Sequence, residues 1–239
     1  MTYKQQMEKA IKGYLATAGF KYYTPRYIYL RRVDDDTVCL IMYGTCSYYI
    51  KEYYQLNIHA GLIYRGWNNL LYQLTEGSRD FDSFMNGPCL FATHPSWNDC
   101  VEFTGKRPME ENLDAFKQEV ETRAFPILER YQDRGALYQD MIRNRNDYYY
   151  EKNKKWYMPI AHYVNGNHQE ALRFVENVLK ECEHNYAMNP NAPRYIKNLH
   201  DFRLYHKNLK RLIAGEELPP RESPSVLTEI LAKLYKKGK

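Results

Sequence analysis

The sequence predicts an α+β protein: an antiparallel sheet with a packed N-terminal helix, followed by a C-terminal helical bundle or helical hairpin array. Three observations predict it. Apolar residues near the N-terminus recur at three- and four-residue spacing, the period of a helix. Short alternating runs rich in Tyr, Ile and Leu follow, split by an aspartate triplet, as paired strands would be. From Pro108 onward the helical period returns and persists. These regimes divide the chain into an α+β domain, residues 1–131, and a helical domain, residues 132–239. A length of 239 residues suffices for two modest cores.

Met7, Ile11, Tyr14 and Leu15 place the first helix over 3–17, with Gly19 where a left-handed cap is usual. Tyr27–Val33 and Thr37–Tyr43 read as strands of one hairpin, because Asp34, Asp35 and Asp36 suit a turn and not a pleat. A third strand, Tyr54–Tyr64, points Leu56, Ile58, Ala60 and Leu62 one way and Gln55, Asn57, His59 and Gly61 the other. The apolar set is expected against the first helix, around Met7, Ile11 and Leu15. Trp67–Leu74 reads as a short helix, Thr75–Asn86 as loop, and Pro88–Ala92 and Val101–Phe103 as further strands.

Pro108 fits a first helical position, Glu110 and Glu111 suit the positive end of the dipole, and Leu113, Phe116 and Val120 form a stripe. Pro126 is expected to kink or interrupt that helix, and Gly135 to precede a second, roughly 136–157. Asn165-Gly166-Asn167 marks a turn, and Asn167 with Glu170 has the spacing of a capping box. Ala171, Leu172, Val175, Val178, Leu179 and Cys182 then make a core face. A helix over about 194–214 carries the stripe Ile196, Leu199, Phe202, Leu209 and Leu212 or Ile213. A last helix is built on Val226, Leu227, Ile230, Leu231 and Leu234.

Charge is uneven. Residues 1–129 hold 14 basic and 16 acidic side chains, and residues 130–239 hold 20 and 13. The C-terminal half therefore suits either an acidic partner or an ordinary solvated helical surface. No apolar run is long enough to cross a membrane, and Met1–Lys9 lacks the apolar centre of a secretory signal. A cytoplasmic location with no membrane partner is the expectation. The five cysteines are widely spaced and read as reduced thiols. Tyrosine, at 24 residues, is the compositional anomaly, and its apolar ring with a polar tip suits half-buried shelves and contact surfaces.

The phosphate-binding glycine motifs, the nucleophile elbow and the HExxH pattern are absent. Zinc needs four convergent ligands, and neither Cys182-Glu183-His184 nor the His94–Cys100 loop has a matching second pair. A thiol nucleophile would require Cys100 to meet His94 or His59. No metal, cofactor or catalytic residue is assigned.

Two constellations remain. On the sheet, parity places Gln55, Asn57 and His59 together, and Tyr29 and Arg31 of the first strand are expected to share their face as the floor of a ligand or partner surface. An arginine there would hold His59 neutral. In the helical half, Lys197, Arg203, Lys207 and Lys210 could track phosphates, with Tyr195, Tyr205 and His206 placed to stack on bases. Tyr148, Tyr149 and Tyr150 with Lys152, Lys154, Lys155 and Trp156 form a second basic-aromatic patch.

Residues 5–130 resemble the start of an uncharacterised bacterial family of domains of unknown function. The resemblance rests on Ala18-Gly19-Phe20 after a helix, the strand with Tyr22, Tyr23, Arg26, Tyr29 and Arg31, a turn, and a third strand with Asn57 and Gly61. It implies a helix-and-meander fold in a small cytosolic protein, with no assigned activity. Trp156–Cys182, with Tyr163, Gly166, Ala171 and Val175, resembles a single tetratricopeptide-type hairpin, although Pro159 takes the place of a small residue and no second copy follows. The expected function is a non-catalytic bacterial binding protein of adaptor or immunity type, with a protein partner. The first alternative is nucleic-acid binding through the basic helices. The second is small-molecule binding or enzyme activity at the sheet face around His59.

Overall fold

The computed structural model describes residues 1–23, 28–47, 50–77, 100–143 and 151–220, the side chains of 151–153 excepted. Among these, 1–63 and 100–140 form one compact unit, and 64–77, 141–143 and 151–220 form another.

The first unit opens with helix α1, Tyr3–Thr17, whose capping box joins Thr2 and Gln5. Strands β1 (Lys21–Tyr23), β2 (Ile28–Arg32), β3 (Thr37–Ser47), β4 (Tyr53–Tyr64) and β5 (Val101–Thr104) form a sheet in sequence order. The β1–β2, β2–β3 and β4–β5 pairs are antiparallel. Asp34 makes the β2–β3 turn by accepting from the backbone N–H groups of Asp36 and Thr37, at 2.7 and 2.6 Å. Met7, Ile11 and Leu15 are fully buried, as are Leu56, Ala60 and Leu62, and Ile58 is nearly so. The alternation in β4 holds from Gln55 to Ala60, beyond which Gly61 and Ile63 are buried as well and both faces are covered; the class is α+β.

Helix α3 runs over Met109–Glu119, with Pro108 as its cap and not its first residue. Pro126 does not end this helix. The backbone passes through a π turn, Val120–Ala124, into α4, Phe125–Arg130, with φ and ψ still helical at Val120 and Phe125. The Phe125 N–H reaches back five residues to the Val120 carbonyl. That shift in bonding lets proline enter a first turn, where its missing donor is tolerated. Asn112 is fully buried at the β5–α3 junction. Its Oδ1 accepts from the Thr104 N–H at 3.1 Å, and its Nδ2 donates to the Thr104 and Pro108 carbonyls and to the Tyr3 hydroxyl at 3.0–3.1 Å. Helix α5 covers Arg134–Ile142.

The second unit consists of α2 (Arg65–Leu74), α6 (Glu151–Val164), α7 (His168–Met188) and α8 (Pro193–Ile213). α6 packs on α7 and α7 on α8, while α2 lies against α6 and α8. At its centre the Trp156 and Phe202 rings stack 4.1 Å apart. The expected helix over 136–157 is therefore two helices, α5 and α6, and 144–150 lie outside the described residues. Asn167 caps α7 by position but makes no side-chain cap bond, so the capping box expected with Glu170 does not form. On α8, Ile196 is 47% exposed, whereas Tyr205, Asn208 and Asp201 are buried. Leu199, Phe202 and Leu209 of the expected stripe are buried, so the stripe holds except at Ile196, and the buried face is widened by polar residues in core positions. The expected strand at 88–92, the loop at 78–86 and the last helix at 226–234 lie outside the described residues.

Of the 17 described tyrosines, nine are half-buried, as expected of an apolar ring with a polar tip, Tyr186 is exposed, and seven are in the core. Tyr29, Tyr43, Tyr64, Tyr131, Tyr138, Tyr157 and Tyr205 are each 6% exposed or less. The surface role expected of this composition falls away for these seven.

Candidate functional site

Strand register decides which candidate residues meet. Tyr54 lies opposite Phe103, so both point to one side of the sheet. Tyr54 stacks on Tyr3 of α1, and Phe103 meets Phe116 of α3 edge-on at 6.5 Å. This is the helix-covered side. Tyr43 also meets Phe116, at 6.3 Å, and stacks on Tyr29. Tyr29 thus belongs to the covered side, and Arg31, two residues on, shares it.

The expected common face is corrected accordingly. Tyr29 is 1% exposed. The Arg31 guanidinium lies over the Phe20 ring at 5.0 Å and donates to the Ala18 carbonyl at 3.4 Å, which closes the end of α1. It also faces the Cys39 thiol, which burial pushes up and Arg31 partly draws back. Both residues are structural, and Arg31 is not beside His59 to set its charge. The physical reason is parity: strand spacing fixes which residues of one strand share a face but not which face of the next strand adjoins them.

Gln55, Asn57 and His59 do share one face, opposite the helices, and all three are half-buried. Gln55 lies across from Glu102. The Gln55 Nε2 donates to the Tyr53 hydroxyl at 3.1 Å and to the Glu102 carboxylate at 3.4 Å, and the Tyr53 hydroxyl donates to the same carboxylate. Arg107 approaches the other carboxylate oxygen at 3.6 Å, with both side chains more than two-fifths exposed. Beyond them, the Cys100 thiol donates to the Asn57 Oδ1 at 2.8 Å. Sequence reasoning missed Tyr53, Glu102 and Arg107. Glu102, polar within the short apolar run of β5, was the available signal.

This row orders hydrogen-bonding groups without an activated nucleophile. An amide oxygen cannot take a proton from the thiol it binds, so the Asn57 contact does not generate a thiolate. His94, expected beside Cys100, lies outside the described residues. Two groups of the row still offer bonding capacity among the described residues: the Gln55 Oε1, an acceptor, and the Asn57 Nδ2, a donor.

On α8, Lys197, Arg203, Lys207 and Lys210 are all exposed. Arg203 lies 3.5 Å from Glu183 and Lys210 lies 3.9 Å from Glu176, both acids on α7. His206 is also beside Glu176, at 3.2 Å. Tyr205 cannot stack on a base: it is fully buried and donates to the Trp156 carbonyl at 2.9 Å. Trp156 of the second patch is buried as well, and Tyr148–Tyr150 lie outside the described residues. Among the described residues no group of three His, Cys, Asp or Glu side chains could hold a metal, and no helix is long and apolar enough to cross a membrane. No family model, curated protein or solved structure matches the chain.

Proposed function

We propose that the chain is a non-catalytic binding protein and that a protein partner contacts the row of Tyr53, Gln55, Asn57, His59 and Glu102. One observation carries the reading. Gln55 and Asn57, two residues apart on β4, keep an unspent acceptor and donor while their other groups are fixed by Tyr53, Glu102 and Cys100. Side chains held by neighbours lose little freedom on binding, which favours a preformed contact surface. Their period along the strand matches that of an extended peptide. The adaptor or immunity role, the cytoplasmic setting and the kinship with a bacterial domain family belong to this proposal.

The test is capture from source lysate by the parent chain and by a Gln55→Ala, Asn57→Ala, Glu102→Ala variant of equal helicity. A stoichiometric protein retained by the parent and lost by the variant supports the reading. Equal retention rejects this surface, and the absence of any stoichiometric protein counts against a protein partner.

A further inference from the structure

We infer that the exposed face of α8 binds a single strand of nucleic acid through its phosphates. Arg194, Lys197, His200, Arg203, Lys207 and Lys210 are all exposed, and they recur every three or four residues. The only acidic residue of α8, Asp201, is fully buried, so no carboxylate of this helix faces outward. Lys197, Arg203, Lys207 and Lys210 form a stripe on the face opposite the buried Phe202, Tyr205 and Leu209, over about 20 Å at the helical rise, while Arg194 stands off this face at the helix start. A flexible single strand can follow cations that drift around one exposed face, which a rigid duplex cannot do as closely. The occupant is not a lipid surface. The exposed apolar side chain of this helix, Ile196, sits at one end, while Lys207 and Lys210 lie at the other, away from any apolar anchor. At the Ile196 end the Arg194 guanidinium covers the Tyr195 ring at 4.5 Å, an arrangement that places a planar surface where a base can stack.

Two carboxylates border the stripe from α7. Glu183 faces Arg203, Glu176 faces Lys210 and His206, and each of these acids is more than two-fifths exposed. A phosphate replacing either carboxylate keeps a charge pair and releases condensed counterions, so these acids compete with a strand without blocking it.

The experiment is fluorescence anisotropy of the full chain with labelled oligo-dT and oligo-U of about 20 nucleotides, and with a duplex of similar length. Saturable binding of both single strands is expected at about 50 mM salt, weaker for the duplex. With four phosphates neutralised, raising salt to about 200 mM weakens single-strand binding roughly 50-fold. Lys197→Glu with Lys207→Glu is expected to weaken it more than tenfold. Glu176→Gln with Glu183→Gln is expected to tighten it several-fold, a gain that a misfolded variant cannot produce. A salt-independent affinity, an unchanged affinity in either variant, or no binding at low salt overturns the inference. So does equal or tighter binding to poly-glutamate or to phosphatidylserine vesicles, which would assign the stripe to another anion.

Discussion

Asn112 pairs with Thr104 as the next strand of the sheet would. The Gly105 N–H donates to the Glu52 carbonyl at 2.8 Å, which turns the Thr104 backbone groups away from β4. There the carboxamide of Asn112 takes both, one as acceptor and one as donor, at 3.1 Å each. A side chain thus closes the end of an edge strand that would otherwise present paired backbone groups to another chain. Asn112→Ala strands the buried Thr104 N–H and carbonyl, and a loss of about 3 kcal/mol is expected in urea unfolding. A loss below about 1 kcal/mol would mean that water replaces the carboxamide.

Opposite faces of β4 predict opposite sensitivities. Leu56 is fully buried on the helix-covered side, while Gln55 is half-buried on the other. Leu56→Ala is expected to cost about 3 kcal/mol and Gln55→Ala about 0.5 kcal/mol or less. Comparable losses in denaturant titrations would contradict the assignment of faces.

In the helical unit, Tyr205 completes a carbonyl beside a proline. Pro159 lies within α6 and cannot donate to the Lys155 carbonyl one turn earlier, and the adjoining Trp156 carbonyl accepts from the Tyr205 hydroxyl. Tyr205→Phe keeps the packing and removes that donor. Its expected cost is about 1–2 kcal/mol, measured as a shift in the urea midpoint at constant slope.

Asp34 gives the clearest dependence on pH. Burial opposes its ionisation, but the backbone N–H groups of Asp36 and Thr37 outweigh this and hold its carboxyl below the ordinary value of 3.8. A depressed folded value means that the carboxylate stabilises the fold above 3.8, and that this contribution fades as pH falls through the lower folded value. Asp34→Asn keeps an acceptor for the turn without the charge. The gap in stability between parent and variant is expected to be constant near neutrality and to close in acid. A gap that widens as pH falls would reverse the sign of the argument.

What the sequence made legible followed from local period. The helix at 3–17, the Asp34 turn and the alternation of Leu56, Ile58 and Leu62 each depend on neighbours in the chain, and each formed as read. The misplaced residues depended on distant partners. Arg31 looked like a surface cation until its guanidinium met Phe20 and Ala18. Tyr205 was expected to stack on bases, yet it is buried and serves the Trp156 carbonyl, and Asn208, buried beside it on α8, serves the Leu74 carbonyl. Glu102 entered the candidate row only through pairing with β4. Hydrogen-bond satisfaction across long separations leaves no periodic trace.

The bond from Asn208 to the Leu74 carbonyl joins residues 134 positions apart. During synthesis α2 therefore leaves the ribosome long before α8 exists to receive it. Until then Trp67, Leu71 and Leu74, all buried in the finished unit, have no companion surface from that helix. A chain stalled before residue 193 would have α6 but not α8 against this face, leaving it partly uncovered at the stage when nascent chains are most prone to associate wrongly. The core of the second unit is therefore completed only when α8 arrives.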